Sequence, residues 1–275
     1  MPRRVAVKIC GVTDATDALL SAELGADYLG LNFWPGSPRF LGVERAREIA
    51  AAVRAAAPRV GLVGVFVNPD SGFVEEMAAA SGLDLLQFSG DETAAAVRPF
   101  AARAIKALRT HDPAAAAEFA NCWGLLLDAP RIGRSPAILA SVPGAVVPGA
   151  EPPRFQDYGG TGRQWDYGAA AAIVGRAEGS AGTAGELGAA GAGGATGRAI
   201  PAAAAATLPG APDARHRVFL AGGLRPENVR RVVATLRPFA VDVCSGVESA
   251  PGRKDPGLLR RLFEEVRNGQ VDRPT

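Results

Sequence analysis

The sequence predicts a single α/β domain folded as a closed (β/α)8 barrel, and three observations lead there. Eight short apolar or β-branched runs recur along 275 residues, each is followed by a longer amphipathic stretch, and the runs do not alternate polar with apolar. Strands covered on both faces read this way, as in a parallel sheet. Eight strand-helix units favour closure into a barrel over an open doubly wound sheet.

In chain order, the strands are expected at residues 5–9, 28–32, 60–67, 85–88, 104–108, 124–127, 218–221 and 240–244. Helical patterns lie at 15–24, 43–56, 71–80, 92–102, 226–236 and 256–267. The barrel is expected to occupy residues 1–268, with two insertions. Residues 176–215 hold 15 Ala and 9 Gly in 40 positions and no aromatic residue. Such a segment buries too little apolar surface to offset the entropy of ordering it, so a disordered or loosely helical insertion is expected there. Residues 130–156, rich in Pro and Gly, follow the sixth strand directly. A loop there lies at the catalytic face of a barrel, where two readings stand: a lid over the site, or a tolerated surface loop.

Composition narrows the function classes. The 30 Lys and Arg against 28 Asp and Glu leave a formal charge of +2 without a basic cluster, which argues against a nucleic-acid partner. No run of apolar residues is long enough for a membrane span, and Lys8 interrupts the N-terminal segment too soon for a signal-peptide core. Three cysteines, Cys10, Cys122 and Cys244, lack CxxC spacing and fit free thiols in a reducing compartment, so a cytoplasmic location is expected. Two histidines rule out a three-His zinc site. The 48% hydrophobic content overstates the core, because 55 residues are Ala.

In a barrel, the C-terminal ends of strands carry the chemistry. The first strand ends at Lys8-Ile9-Cys10-Gly11, where Cys10 reads either as a small buried hydrophobe or as a functional thiol. The sixth ends at Leu125-Leu126-Leu127-Asp128, a carboxyl group set where three leucines enter the core. Three glycine-bearing turns follow late strands: Gly159-Gly160-Thr161-Gly162, Ala221-Gly222-Gly223-Leu224 and Cys244-Ser245-Gly246-Val247. Backbone N–H groups converging from such turns, beside helix N-termini, suit a phosphate monoester.

These segments occur in a recognisable order. Lys8-Ile9-Cys10-Gly11-Val12-Thr13, Ser37-Pro38-Arg39-Phe40, Val63-Gly64-Val65-Phe66-Val67-Asn68, the three glycine-bearing turns and Gly252-Arg253-Lys254-Asp255 together resemble the motif series of the phosphoribosylanthranilate isomerase family. The resemblance implies a (β/α)8 barrel that performs an Amadori rearrangement in tryptophan biosynthesis. It implies Asp128 as general acid and Cys10 as general base. It also implies a substrate site including Lys8, Arg39, Gln87 and Asp242, with phosphate held at Gly160, Thr161, Gly162, Gly222, Gly223, Ser245 and Gly246. Arg39 reads either as a fork for the anthranilate carboxylate or as a solvated loop arginine. Asp242 reads either as a partner for sugar hydroxyls or the amine, or as a structural carboxylate. Lys8 shares a strand face with Cys10 and is a candidate source of charge for a thiolate.

One departure stands out. After the fourth strand the family pattern is Gln-Leu-His-Gly, whereas this chain has Gln87-Phe88-Ser89-Gly90, which keeps a hydroxyl but loses the imidazole. The alternative function is therefore a catalytically impaired barrel that binds a phosphosugar. The implied partner is a small phosphosugar-anthranilate molecule, the expected assembly a monomer or homodimer, and neither metal nor organic cofactor is expected.

Overall fold

The computed structural model describes residues 4–109, 113–128 and 217–271. Eight parallel strands, β1 (Ala6–Cys10), β2 (Tyr28–Asn32), β3 (Gly61–Phe66), β4 (Leu85–Phe88), β5 (Ala104–Leu108), β6 (Gly124–Leu127), β7 (Val218–Leu220) and β8 (Ala240–Val243), close into a (β/α)8 TIM barrel. β1 pairs with both β2 and β8, which leaves no sheet edge. Outside it pack α1 (Ala15–Leu24), α2 (Val43–Ala56), α3 (Ser71–Ser81), α4 (Ala94–Val97), α5 (Pro113–Glu118), α6 (Pro226–Leu236) and α7 (Pro256–Val271).

Each helix starts and stops where local chemistry dictates. Asp14 and Asp70 accept backbone N–H groups at the starts of α1 and α3, and Gly25 and Gly82 end them in the left-handed conformation. The fourth helical stretch is shorter than the sequence suggests. The α-helix stops at Val97 and a 3-10 turn covers Arg98–Arg103, because Pro99 lacks an N–H and its ring crowds the carbonyl one turn back. Strand ends differ from expectation by a residue: β1 extends to Cys10, while β8 stops at Val243. A short antiparallel hairpin absent from the expected set, β9 (Glu248–Ala250) with β10 (Arg253–Lys254), follows β8. The insertions expected at 130–156 and 176–215 lie outside the described residues.

Two apolar layers hold the barrel. Residues facing outward, such as Val7, Ile9, Leu62 and Val241, meet the helices. Those facing inward include Tyr28, Trp123, Phe219 and Phe239, whose rings lie 5.2 to 6.4 Å apart. These aromatic rings plug the floor of the barrel, so its polar interior opens at the other end, where the strands finish. Among the described residues no helix is long and apolar enough to cross a membrane.

Candidate active site

Side-chain alternation decides what reaches the barrel mouth. On β1, Ala6, Lys8 and Cys10 point inward while Val7 and Ile9 join the outer layer. The same parity brings Gln87 and Ser89 from β4, Arg109 after β5, Leu126 and Asp128 from β6, and Asp242 and Cys244 from β8 onto one cavity. The cavity, about 830 Å³ when the open space at its mouth is counted, gathers these polar side chains around one space. Ladder bonds hold its walls: the Asp128 N–H donates to the Leu108 carbonyl and the Ala221 N–H to that of Leu127, each at 2.9 Å.

Cys10 sits above a buried ion pair. Lys8, fully buried, donates from Nζ to Asp242 Oδ1 at 2.9 Å, in a register that sets Lys8 opposite Asp242 and Ile9 opposite Val243. Burial pulls the Lys8 ammonium down, but Asp242 and Cys10 outweigh it and lift it above its ordinary value. Burial pushes the Asp242 carboxyl up to about 7, with Lys8 pulling the other way. Lys8 lies below the cavity-lining residues, so its charge reaches the site through Cys10 and Asp242.

Arg39 is not solvated. It is 5% exposed and its fork grips Glu248, Nε to Oε1 at 2.8 Å and Nη2 to Oε2 at 2.6 Å. Glu248 also accepts from Lys254 Nζ at 2.8 Å. Burial pushes the Glu248 carboxyl up, yet the two cations outweigh it and hold the group below its usual range. Gly11, at φ +68°, makes room for this arm: a Cβ there would lie 2.3 Å from Arg39 Cδ.

On the far wall, Gln87 Nε2 donates to Ser89 Oγ at 2.9 Å, and Gln87 Oε1, though buried, has no hydrogen-bond partner. A buried orphan acceptor facing a cavity suits a polar ligand. Lys106 braces this wall, its Nζ donating to the Gly90 carbonyl at 2.7 Å and to Glu92 at 2.6 Å.

Gly222 and Gly223 after β7, with Ser245 and Gly246 after β8, line one end of the cavity. Asn228 pins the first loop, donating to the Gly223 carbonyl and accepting from the Arg225 N–H, both at 2.9 Å. The loops touch backbone to backbone, because a Cβ on Gly246 would lie 1.9 Å from the Leu224 carbonyl oxygen. Gly246→Ala is therefore expected to force the loops apart and lower kcat/KM by about 10- to 100-fold, with KM moving more than kcat; steady-state kinetics with a thermal melt as folding control will check this. Gly160, Thr161 and Gly162 lie outside the described residues.

A family model described as N-(5'phosphoribosyl)anthranilate (PRA) isomerase matches residues 7–191 and 191–265. The chain belongs to the phosphoribosylanthranilate isomerase family. It is 35% identical over 263 residues to the N-(5'-phosphoribosyl)anthranilate isomerase of Citrifermentans bemidjiense, covering 95% of this chain and 96% of that relative. It also resembles the crystal structure of phosphoribosyl anthranilate isomerase from Thermotoga maritima, with a TM-score of 0.66, 29% identity and coverage of 96% and 99% of the two chains. A phosphoribosyl anthranilate isomerase solved with reduced 1-(o-carboxyphenylamino)-1-deoxyribulose 5-phosphate matches at TM-score 0.65 and 28% identity, over 96% and 99% of the chains.

Against this family's motif series, Cys10, Arg39, Gln87, Asp128, Asp242 and the two described glycine loops all fall on the one cavity. Ser89 occupies the histidine position of the series and faces the same space. Sequence reasoning assigned no role to Asn32, Arg109 and Cys244, which also line it, nor to Glu248 and Lys254 behind Arg39. For Arg109 the signal was available: Ile105, Ala107 and Arg109 are spaced by two along one strand direction, as Gly124, Leu126 and Asp128 are.

Proposed function

We propose that the chain performs the reaction of its family. It converts N-(5-phospho-β-D-ribosyl)anthranilate to 1-(2-carboxyphenylamino)-1-deoxy-D-ribulose 5-phosphate, an aldose-ketose type isomerisation in tryptophan biosynthesis. The observation that carries the reading is the meeting of a thiol, Cys10, and a carboxyl, Asp128, on one cavity whose end is built from two glycine loops.

Ring opening needs a proton on the furanose oxygen, and Asp128 supplies it, leaving a Schiff base. Cys10, as thiolate, then removes the C2' proton, and the resulting enolamine tautomerises to the ketone. Both steps are proton transfers between positioned groups. The thiolate is a competent base because Cys10 is held well below the usual thiol range: the neighbouring Cys244 thiol lowers it, burial opposes, and Lys8 and Lys254 add to the lowering. The glycine loops, with Ser245 and the Gly160–Gly162 turn, hold the phosphate. The orphan Oε1 of Gln87 accepts from the substrate, and Asp242 faces its hydroxyls or amine.

Arg39, which lines the cavity while its fork holds Glu248, supplies the positive charge that receives the anthranilate carboxylate. Arg39→Lys keeps the charge but loses the planar fork, so KM is expected to rise about tenfold while kcat changes less, as read from full saturation curves. In this reading the chain is one barrel domain over residues 1–268 with insertions at 130–156 and 176–215. It works in the cytoplasm as a monomer or homodimer.

The test is a coupled assay that generates the unstable substrate from anthranilate and phosphoribosyl pyrophosphate and follows the loss of its fluorescence. Turnover by the purified, folded protein is expected. Binding of the substrate without product would instead identify a phosphosugar-binding barrel, and neither binding nor turnover would reject both readings.

A further inference from the structure

The proton transfers above use one sulfur directly and leave a second, Cys244, beside it at the barrel mouth. The β1–β8 register, Lys8 opposite Asp242 and Ile9 opposite Val243, ends one residue short of Cys10 and Cys244, which follow it on the two strand ends and both line the cavity. The two sulfurs are boxed in. A Cβ on Gly30 would lie 2.8 Å from Cys10 Sγ, and one on Gly11 would lie 3.0 Å from Cys244 Sγ. Lys254 clamps the strand ends from behind, donating to the Cys10 carbonyl at 2.6 Å and the Cys244 carbonyl at 3.3 Å.

Cys244 has one S–H to give. Its long contact to Glu248 Oε1, 3.9 Å, competes poorly, because that oxygen already accepts from Arg39 and Lys254 at 2.8 Å and from the Gly252 N–H at 3.3 Å. The Cys10 sulfur, on the neighbouring strand end and on the same cavity, is the other acceptor in reach.

We propose that Cys244 is a positioning residue for the base: its S–H donates to the Cys10 sulfur and stabilises the thiolate while Lys254 fixes the spacing of the two strand ends. The proposal rests on reading Cys10 as the base. The nearby cations also have partners of their own, Lys8 with Asp242, and Lys254 with Glu248 and two carbonyls. The charged and titratable groups around the sulfur pair are Lys8 on β1, Asp242 on β8, Lys254 on β10, Glu248 on β9, Arg39 after β2 and Asp128 after β6. The directions of titration agree with the geometry. Cys10 is held below and Cys244 above the usual thiol range, each chiefly by the other, the sense expected of a donor at Cys244 beside a thiolate at Cys10.

Cys244→Ala and Cys244→Ser test this in the full chain with two measurements. One is the pH dependence of iodoacetamide alkylation at Cys10, resolved by mass spectrometry. The other is the pH profile of kcat/KM. In Cys244→Ala both the alkylation curve and the acid limb of the profile are expected to move up by about one pH unit or more, and Cys244→Ser, whose hydroxyl also donates, to return most of that shift. Cys122 does not interfere, because burial pushes its thiol up to about 11. Curves for Cys244→Ala that superimpose on those of the unmodified protein would overturn the proposal. So would a shift in Cys244→Ser as large as in Cys244→Ala, which would make the effect one of packing. The two readings fail separately: full turnover by Cys10→Ala would reject Cys10 as base, while the alkylation curve would still report whether Cys244 tunes it.

Discussion

Cys10→Ala is expected to lower kcat/KM by about 10³-fold, a loss of roughly 4 kcal/mol of transition-state stabilisation. The argument rests on position. Cys10 is the inward-facing residue that ends β1, set over the Lys8–Asp242 pair and lining the cavity, and its thiol is held well below the usual range by Cys244 against the opposing effect of burial. Removing one sulfur atom leaves the ladder to β2 and β8 intact, so folding should survive and kcat should fall with kcat/KM. Cys10→Ser is expected to be almost as impaired, because an alcohol is hardly ionised where a tuned thiol is. Steady-state kinetics on both variants, beside a thermal melt, make the comparison. A serine variant near full activity would show that hydrogen bonding, not proton abstraction, is the role of this side chain.

Asp128→Asn is expected to cost a comparable 10²- to 10⁴-fold in kcat. The amide can still hydrogen-bond to a ring oxygen but cannot deliver a proton, and its shape keeps the N–H to Leu108 carbonyl bond that fixes the residue. The pH profile supplies the sign. Activity rises with pH as Cys10 ionises and falls as the acid loses its proton, so Asp128→Asn should lose the alkaline limb and Cys10→Ala the acid limb. Asp242, on the same cavity, is pushed up to about 7 by burial and is the other candidate for the alkaline limb. An alkaline limb that persists in Asp128→Asn and disappears in Asp242→Asn would move the acid role to Asp242.

The strands were legible because a barrel strand buried on both faces is a bare apolar run, and Leu125-Leu126-Leu127 or Val241-Asp242-Val243 admits little else. The fourth helix was overread, since Ala-rich periodicity over residues 92–102 hides the local effect of Pro99. The hairpin of β9 and β10 was missed although Pro251-Gly252 is a turn signal, because its strands are three and two residues long. Cys10 and Asp128 stood out as strand-end residues of unusual type, and both line the cavity. The Arg39–Glu248–Lys254 chain was not, because Arg39 and Glu248 stand 209 positions apart and only barrel closure makes them neighbours. The Cys244 contact was hidden for the same reason: a thiol in a motif says nothing about the strand it will face.

The seam between the first and last strands has a consequence for how activity is acquired. Lys8 and Asp242 are 234 residues apart, and no contact across that seam exists until nearly the whole chain is available. Contacts of such separation form late, after the entropy of closing a long chain segment has been met. Cys10 arrives on the first strand made, while Cys244 and the Gly246 loop arrive on the last. During synthesis or refolding, the partial barrel therefore carries Cys10 without the thiol and the glycine loop that complete its surroundings. Enzymatic activity should return only with the final step of closure, trailing the recovery of helical signal, and it serves as a readout of that step in refolding experiments.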